Sequence, residues 1–335
     1  KIYTTQRQVN NLIELYNPSN EDVDLSNHKL NFYSNGSKEV SKTIELTGKI
    51  NSKSYYLIGS SNHGETTVKP QLDLAYSEGS LPFNGDDVIE LNVGGTRSDL
   101  FGNIGLDVAF SKELTLIRLG LKEDYKPSAE YKEFNYIGYS TAAYQFLQND
   151  NHEIKTLEQI YAGPRLEDRY INELPFVSES NPEQGGGGAV IVTLQSISDG
   201  DTAFFRAENG YGGGSLRYFY INTPEVNGSN VDAEPWGYVA SKYNKQFLLN
   251  NATSKEVRIQ SIPEYGLKEG YGRSLGLVWI NGHLSQFLIT AEGLTNVPLS
   301  YASYDFLLTY KDVPYLTFLR FAQNRAVENG WGVHG

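Results

Sequence analysis

Short apolar runs alternating with tight-turn residues punctuate this chain from its beginning, and that rhythm excludes long helices while favouring many short strands. The runs fall at residues 12–15, 22–25, 29–32, 43–46, 55–58, 87–93 and 114–119. Between them stand Asn17-Pro18-Ser19-Asn20, Asn35-Gly36, Asn84-Gly85-Asp86 and Gly94-Gly95, the residue types that tight turns demand. Strands at this spacing predict an all-β sandwich or barrel over residues 1–150, with no helical periodicity of useful length.

The length, 335 residues, exceeds what one ordinary core organises and fits two domains. Cysteine is absent, which removes disulfides, thiolate metal sites and a cysteine nucleophile together. No apolar run reaches the roughly 18 residues that span a bilayer. The chain starts at Lys1 and holds no Met, which fits removal of a secretory or lipoprotein leader, so a secreted or cell-surface protein is expected.

A net charge of −12 argues at first against a polyanion partner. The charge is unevenly placed. From Ala189 onward there are 11 Lys and Arg against 13 Asp and Glu, leaving 17 basic and 27 acidic residues in the first part. The near-neutral second part lacks the field of a strong non-specific DNA binder, but metal-assisted chemistry on a phosphodiester needs only a few placed cations.

Residues 151–188 combine Gly163-Pro164, Asn181-Pro182 and the run Gly185-Gly186-Gly187-Gly188. This composition predicts a connector, flexible at its glycine end. From residue 189 the pattern changes. Strands are predicted at 189–194, 216–221, 256–261 and 275–280. A helix is expected from Ala233, with Pro235 in its first turn and Trp236, Ala240, Tyr243 and Phe247 at helical spacing. A second helix carries Leu284, Phe287, Leu288 and Ala291, and a third carries Leu319, Ala322 and Ala326 before Asn329-Gly330. Short strands with interleaved helices over 189–335 fit a small OB-type barrel with flanking helices.

In the first half, three motifs occur in order: Ile13-Glu14-Leu15-Tyr16-Asn17-Pro18, Asp22-Val23-Asp24-Leu25-Ser26 and Asn84-Gly85-Asp86-Asp87-Val88-Ile89-Glu90-Leu91. Asp99-Leu100-Phe101-Gly102 follows them. The series resembles a lamin-tail domain, which implies an immunoglobulin-like β-sandwich. That family has no shared catalytic chemistry, so residues 1–150 are expected to bind or position, with a cell-surface or protein partner.

In the second half, three motifs carry chemistry: Asp199-Gly200-Asp201-Thr202, Asn222-Thr223-Pro224-Glu225 and Tyr271-Gly272-Arg273, with Arg217 on a strand between the first two. Each alone is a turn, a helix start or a loop. In this order, with Ala233-Glu234-Pro235-Trp236-Gly237 downstream, they resemble the staphylococcal (thermo)nuclease family. Phosphodiester cleavage adds negative charge to a five-coordinate phosphorus, and guanidiniums aimed at its equatorial oxygens stabilise that charge. The resemblance implies Arg217 and Arg273 in that role and Glu225 as general base. It also implies Asp201, Asn222 and the Thr223 carbonyl as ligands of Ca²⁺, with Tyr271 and Tyr301 against the substrate. The implied reaction is calcium-dependent hydrolysis of DNA and RNA, single strands preferred, to 3′-phosphate products.

Three departures weaken the resemblance. Asn222 stands where the family has Asp, Gly270 where it often has a phosphate-contacting Lys, and Leu299 where it has the partner of Tyr301. A catalytically weak nucleic-acid-binding or surface-adhesion module is therefore the alternative. His28, His63, His152, His283 and His334 show no metal-ligand spacing, and the glycine run lacks a following Lys-Ser/Thr, so it is no phosphate loop.

Overall fold

The computed structural model describes residues 1–226, 232–249, 256–298 and 308–335, with only the backbone for 247–249. The chain forms two compact units, Lys1–Thr156 and Leu157–Gly335.

Unit 1 holds twelve strands in three sheets. They are β1 (Ile2–Tyr3), β2 (Leu12–Tyr16), β3 (Val23–Asp24), β4 (His28–Tyr33), β5 (Lys42–Glu45) and β6 (Lys49–Ile50). Then come β7 (Tyr55–Ser60), β8 (Leu74–Tyr76), β9 (Val88–Val93), β10 (Thr96–Phe101), β11 (Thr115–Arg118) and β12 (Tyr136–Tyr139). A six-stranded sheet runs β12-β11-β1-β2-β7-β8 and a four-stranded sheet runs β10-β9-β4-β5, with β3 and β6 paired apart. Ile13 and Ile58 from the first sheet share one core with Phe32 and Ile89 from the second. Alternation explains the packing, because residues at i and i+2 face one side of a strand. Unit 1 is thus a two-sheet sandwich. Asp99 fastens one edge, taking Nη2 of Arg118 on both oxygens at 2.8 and 2.7 Å.

Unit 2 opens with two short helices, α1 (Leu157–Tyr161) and α2 (Asp168–Asn172). There follow β13 (Ala189–Ile191), β14 (Leu194–Ile197), β15 (Thr202–Phe205), β16 (Gly214–Tyr218), α3 (Gly237–Leu249), β17 (Val257–Gln260) and β18 (Ser274–Ile280). The chain ends through β19 (His283–Leu284), α4 (Ser285–Ala291), β20 (Thr309–Tyr310), β21 (Val313–Pro314) and α5 (Tyr315–Glu328). The main sheet runs β13-β17-β18-β16-β15-β14, with β19 on β18. Its first and last strands are separated in the chain only by Val192 and Thr193, so the sheet curls until its ends meet at one bend. Among the described residues no pairing closes β13 on β14, so a curled open sheet stands where a barrel was expected. The strand predicted over 189–194 divides at this bend.

Of the expected flexible connector, residues 157–188 are part of unit 2 and 151–156 of unit 1. Arg165 bridges to His283, and α1 packs on α5. The glycine run is a close-approach device rather than a hinge. A Cβ on Gly185 would lie 2.6 Å from the Ile262 carbonyl oxygen, and one on Gly188 would lie 2.2 Å from that of Leu174. Composition could not separate the two uses, because flexible linkers and tightly packed backbone both select glycine.

Candidate active site

Strands β16 and β18 run parallel, with Leu216 opposite Ser274 and Arg217 opposite Leu275. This register carries Arg217, near the end of β16, two positions past the level of Arg273, which immediately precedes β18 on the neighbouring strand. Antiparallel β15 supplies the other flank, with Thr202 opposite Arg217. Asp201 sits one residue earlier, at the mouth of the turn begun by Asp199 and Gly200.

Arg217 Nη1 lies 2.6 Å from Asp201 Oδ1. Its Nη2 donates to Asn222 Oδ1 at 2.7 Å. The second oxygen of Asp201 accepts from the Thr223 backbone N–H at 2.6 Å. Asp201 before β15, Arg217 on β16 and Asn222 and Thr223 after it therefore form one hydrogen-bonded cluster. Asp201 and Thr223 are buried, and Asn222 is exposed. Burial pushes the Asp201 carboxyl up to about 6, against the opposing pull of the Arg217 guanidinium and with a further rise from Asp199.

Asn222 is anchored by its backbone, which exchanges hydrogen bonds with Asn296 at 3.0 and 3.2 Å, while its N–H also reaches Thr295 Oγ1 at 2.9 Å. Three residues on, the exposed Glu225 is held by its main chain: its N–H donates to Glu234 Oε2 at 2.9 Å and its carbonyl accepts from the Glu234 N–H at 3.0 Å. Gly237 closes against the same carbonyl, where a Cβ would lie 2.0 Å from the oxygen. Only glycine permits that approach. The backbone of Glu225 is thus fixed, and among the described residues its carboxylate makes no hydrogen bond or ion pair with the Asp201 cluster.

Arg273 pairs through Nε with Glu269, burial opposing that charge, and it also feels the carboxylates of Asp201 and Asp199. The Gly272 N–H and the Arg273 carbonyl close a tight turn onto Glu269 at 2.9 Å each. Tyr271 tops this turn, 90% exposed. Tyr301 lies outside the described residues, as does Leu299.

The donors near Arg217 are all oxygens: the Asp201 carboxylate, the Asn222 amide oxygen and the adjoining Thr223 backbone. Such a set fits a hard divalent cation by type, with one formal negative charge. Among the described residues no group of three or more His, Cys, Asp or Glu gathers for a metal. In this structure the convergent positive group is the guanidinium of Arg217.

Several supporting residues were given no role from the sequence. Asp199 Oδ1 accepts from the Asp201 N–H at 3.0 Å, fixing the turn. Asn244 on α3 donates to the Asp199 carbonyl at 3.0 Å and accepts from Tyr218 Oη at 3.2 Å, locking the helix to the site. Glu269 stands four residues before Arg273, a spacing that could have flagged it. Thr295 and Asn296 leave no local signal, because their role is tertiary.

Residues 215–312 match the family described as staphylococcal nuclease homologue. That span holds Arg217, Asn222, Thr223, Glu225, Tyr271 and Arg273, while Asp201 precedes it. The thermonuclease of Staphylococcus hyicus is 26% identical over 140 residues, covering 41% of this chain and 78% of the relative. The SPbeta prophage-derived endonuclease YokF of Bacillus subtilis (strain 168) is 32% identical over 114 residues, 33% of this chain and 36% of the relative. Endonuclease YncB of the same organism is 32% identical over 114 residues, spanning 50% of its own length. The similarity therefore spans well under two thirds of both Bacillus relatives. No helix among the described residues is long and apolar enough to cross a membrane.

Proposed function

We propose that unit 2 is a nuclease that hydrolyses phosphodiester bonds of DNA and RNA, acting best on single strands. The carrying observation is the Asp201–Arg217–Asn222 cluster, with Arg273 two register positions away across the parallel β16–β18 pair, on a segment similar to the staphylococcal nuclease family. Two guanidiniums at one strand end can address a phosphate whose oxygens gain charge in the transition state. Glu225, on a main chain that cannot drift, accepts the proton of the attacking water. The new bond forms between water oxygen and phosphorus, the bond to the 5′ oxygen breaks, and a 3′-phosphate and a 5′-hydroxyl result.

Asp201, the Asn222 amide and the Thr223 carbonyl would hold Ca²⁺. When bound, that ion supplies electrostatic stabilisation of the phosphate. Tyr271 and Tyr301 complete the substrate side. The proposal extends to an OB-type arrangement of unit 2, a lamin-tail-like, immunoglobulin-like unit 1 that binds or positions, and a secreted or surface-attached protein. The alternative, a weakly catalytic binding or adhesion module, is favoured by one observation: Asn222 contributes no charge, and its oxygen is engaged by Arg217. Cleavage of labelled single-stranded DNA in millimolar calcium, and its loss in chelator, decides between them. An inert protein in calcium overturns the nuclease reading.

A further inference from the structure

Helix α3 is locked to the candidate site by its inner face and, among the described residues, leaves an aromatic and basic outer face exposed. On the inner side, Ala240 and Asn244 are buried, with Asn244 bonded to the Asp199 carbonyl. Residues four apart share a helix face, so the outer face is fixed by the same register. Tyr238, Lys242 and Lys245 occupy it, all exposed, with Tyr238 at 58%.

The stripe begins at Trp236, 45% exposed, whose carbonyl accepts the Ala240 N–H at 2.9 Å. Trp236 therefore stands at the cap of α3, where Ser, Thr, Asp, Asn or Gly is the favoured choice. Its φ is 71°, a left-handed backbone that costs a bulky residue on this side of the map. A solvent-facing indole at a strained cap contributes little to folding, and such local conflicts concentrate at functional positions. Next to it, Gly237 abuts the Glu225 carbonyl, so the ring is tied to the residue assigned as base.

We propose that Trp236, Tyr238, Lys242 and Lys245 form a track for single-stranded nucleic acid leading into the site, the two rings stacking bases and the two ammoniums meeting phosphates. The inference rests on the nuclease reading of the same unit. Aromatic faces accept any base, and paired lysines match the backbone charge, which is the composition of single-strand tracks. From Trp236 to Lys245 the helical rise covers about 14 Å. The track supplies grip that Gly270, lacking a side chain, cannot supply.

The test is a titration of the full chain with fluorescein-labelled oligothymidylate in chelator, followed by anisotropy at several salt concentrations. Trp236→Gly removes the ring and accepts the left-handed backbone, so it should melt at or above the wild-type temperature while binding about tenfold more weakly, the loss expected of one stacked base. Lys242→Ala with Lys245→Ala should lower the slope of log affinity against log salt by about 1.4, at about 0.7 per phosphate contact. Unchanged affinity in Trp236→Gly, an unchanged salt slope, or a wild type that does not bind the oligothymidylate each overturn the track. Binding that follows this pattern in a protein inert toward DNA in calcium would overturn the nuclease reading and leave the track standing.

Discussion

The amide oxygen of Asn222 accepts from Nη2 of Arg217 at 2.7 Å, so a neutral side chain and the proposed transition-state arginine hold each other in place. Asp201 takes the other terminal nitrogen of that guanidinium. A divalent cation entering this oxygen set meets a positive group already bound to it, and it gains only one carboxylate on doing so.

Calcium affinity should consequently be low, with a Kd of roughly 10⁻⁴–10⁻³ M, the range of weakly charged sites. Asn222→Asp adds a full negative charge and should tighten binding severalfold or more, raising activity at limiting calcium. Titration calorimetry giving equal affinity for both proteins would remove position 222 from the ligand set.

Arg217→Ala and Arg273→Ala should each slow single-turnover cleavage by on the order of 10²–10³, with a much smaller loss in binding of an uncleavable analogue. Arg217→Lys should rescue poorly, since an ammonium cannot span Asp201 and Asn222 as the planar fork does. Parallel losses in rate and affinity would show that the arginines only hold substrate.

In calcium-free protein the Asp201 carboxyl should titrate near pH 6, where burial has placed it, and calcium held by that carboxylate should shift the acid limb of the rate profile below that value. Below it, protonated Asp201 releases its charge partner and activity drops. Stability moves the other way. The folded value lies above the ordinary 3.8, so ionised Asp201 disfavours the fold fully above about pH 6, and that penalty fades as the pH drops through 6 towards 3.8. Because Arg217 holds the value down, Arg217→Ala should move the acid limb upward. A limb unmoved in that variant would mean another group controls it.

A fragment covering 157–335 should fold alone, whereas one covering 189–335 should melt lower and aggregate. The shorter fragment strips α1, α2 and the glycine run from the surfaces they cover, including the Arg165–His283 bridge. Thermal melts by circular dichroism compare them directly, and equal melting temperatures would return residues 157–188 to the status of a linker.

Most strands of unit 1 were legible because alternation and Asn-Gly or Gly-Gly turns act over a few residues. Outside the runs fall β1, β6, β8, β10 and β12; all but β10 are short, and their partners rather than their composition make them strands. In unit 2 the residues of the Asp201 cluster were found through motif order, while the bonds among them were not, since burial and register are tertiary facts. Helix α3 begins at Gly237 rather than near Ala233, and Trp236, expected among its packing positions, is exposed: helical spacing gives a periodicity but not which side is inward. Gly185 to Gly188 misled for the reason that glycine serves freedom and crowding alike.

The parallel pairing of β16 with β18 also governs when chemistry becomes available during synthesis. Helix α3 and β17 lie between those strands in the chain, and loop closure of that length precedes any reward from pairing. Until β18 docks, Arg217 has no Arg273 on the neighbouring strand and Asn222 has no Asn296 to pin it. On the proposed function, a nascent or partly unfolded chain is thus chemically silent, and hydrolysis would report completed folding of the whole unit rather than the presence of its residues.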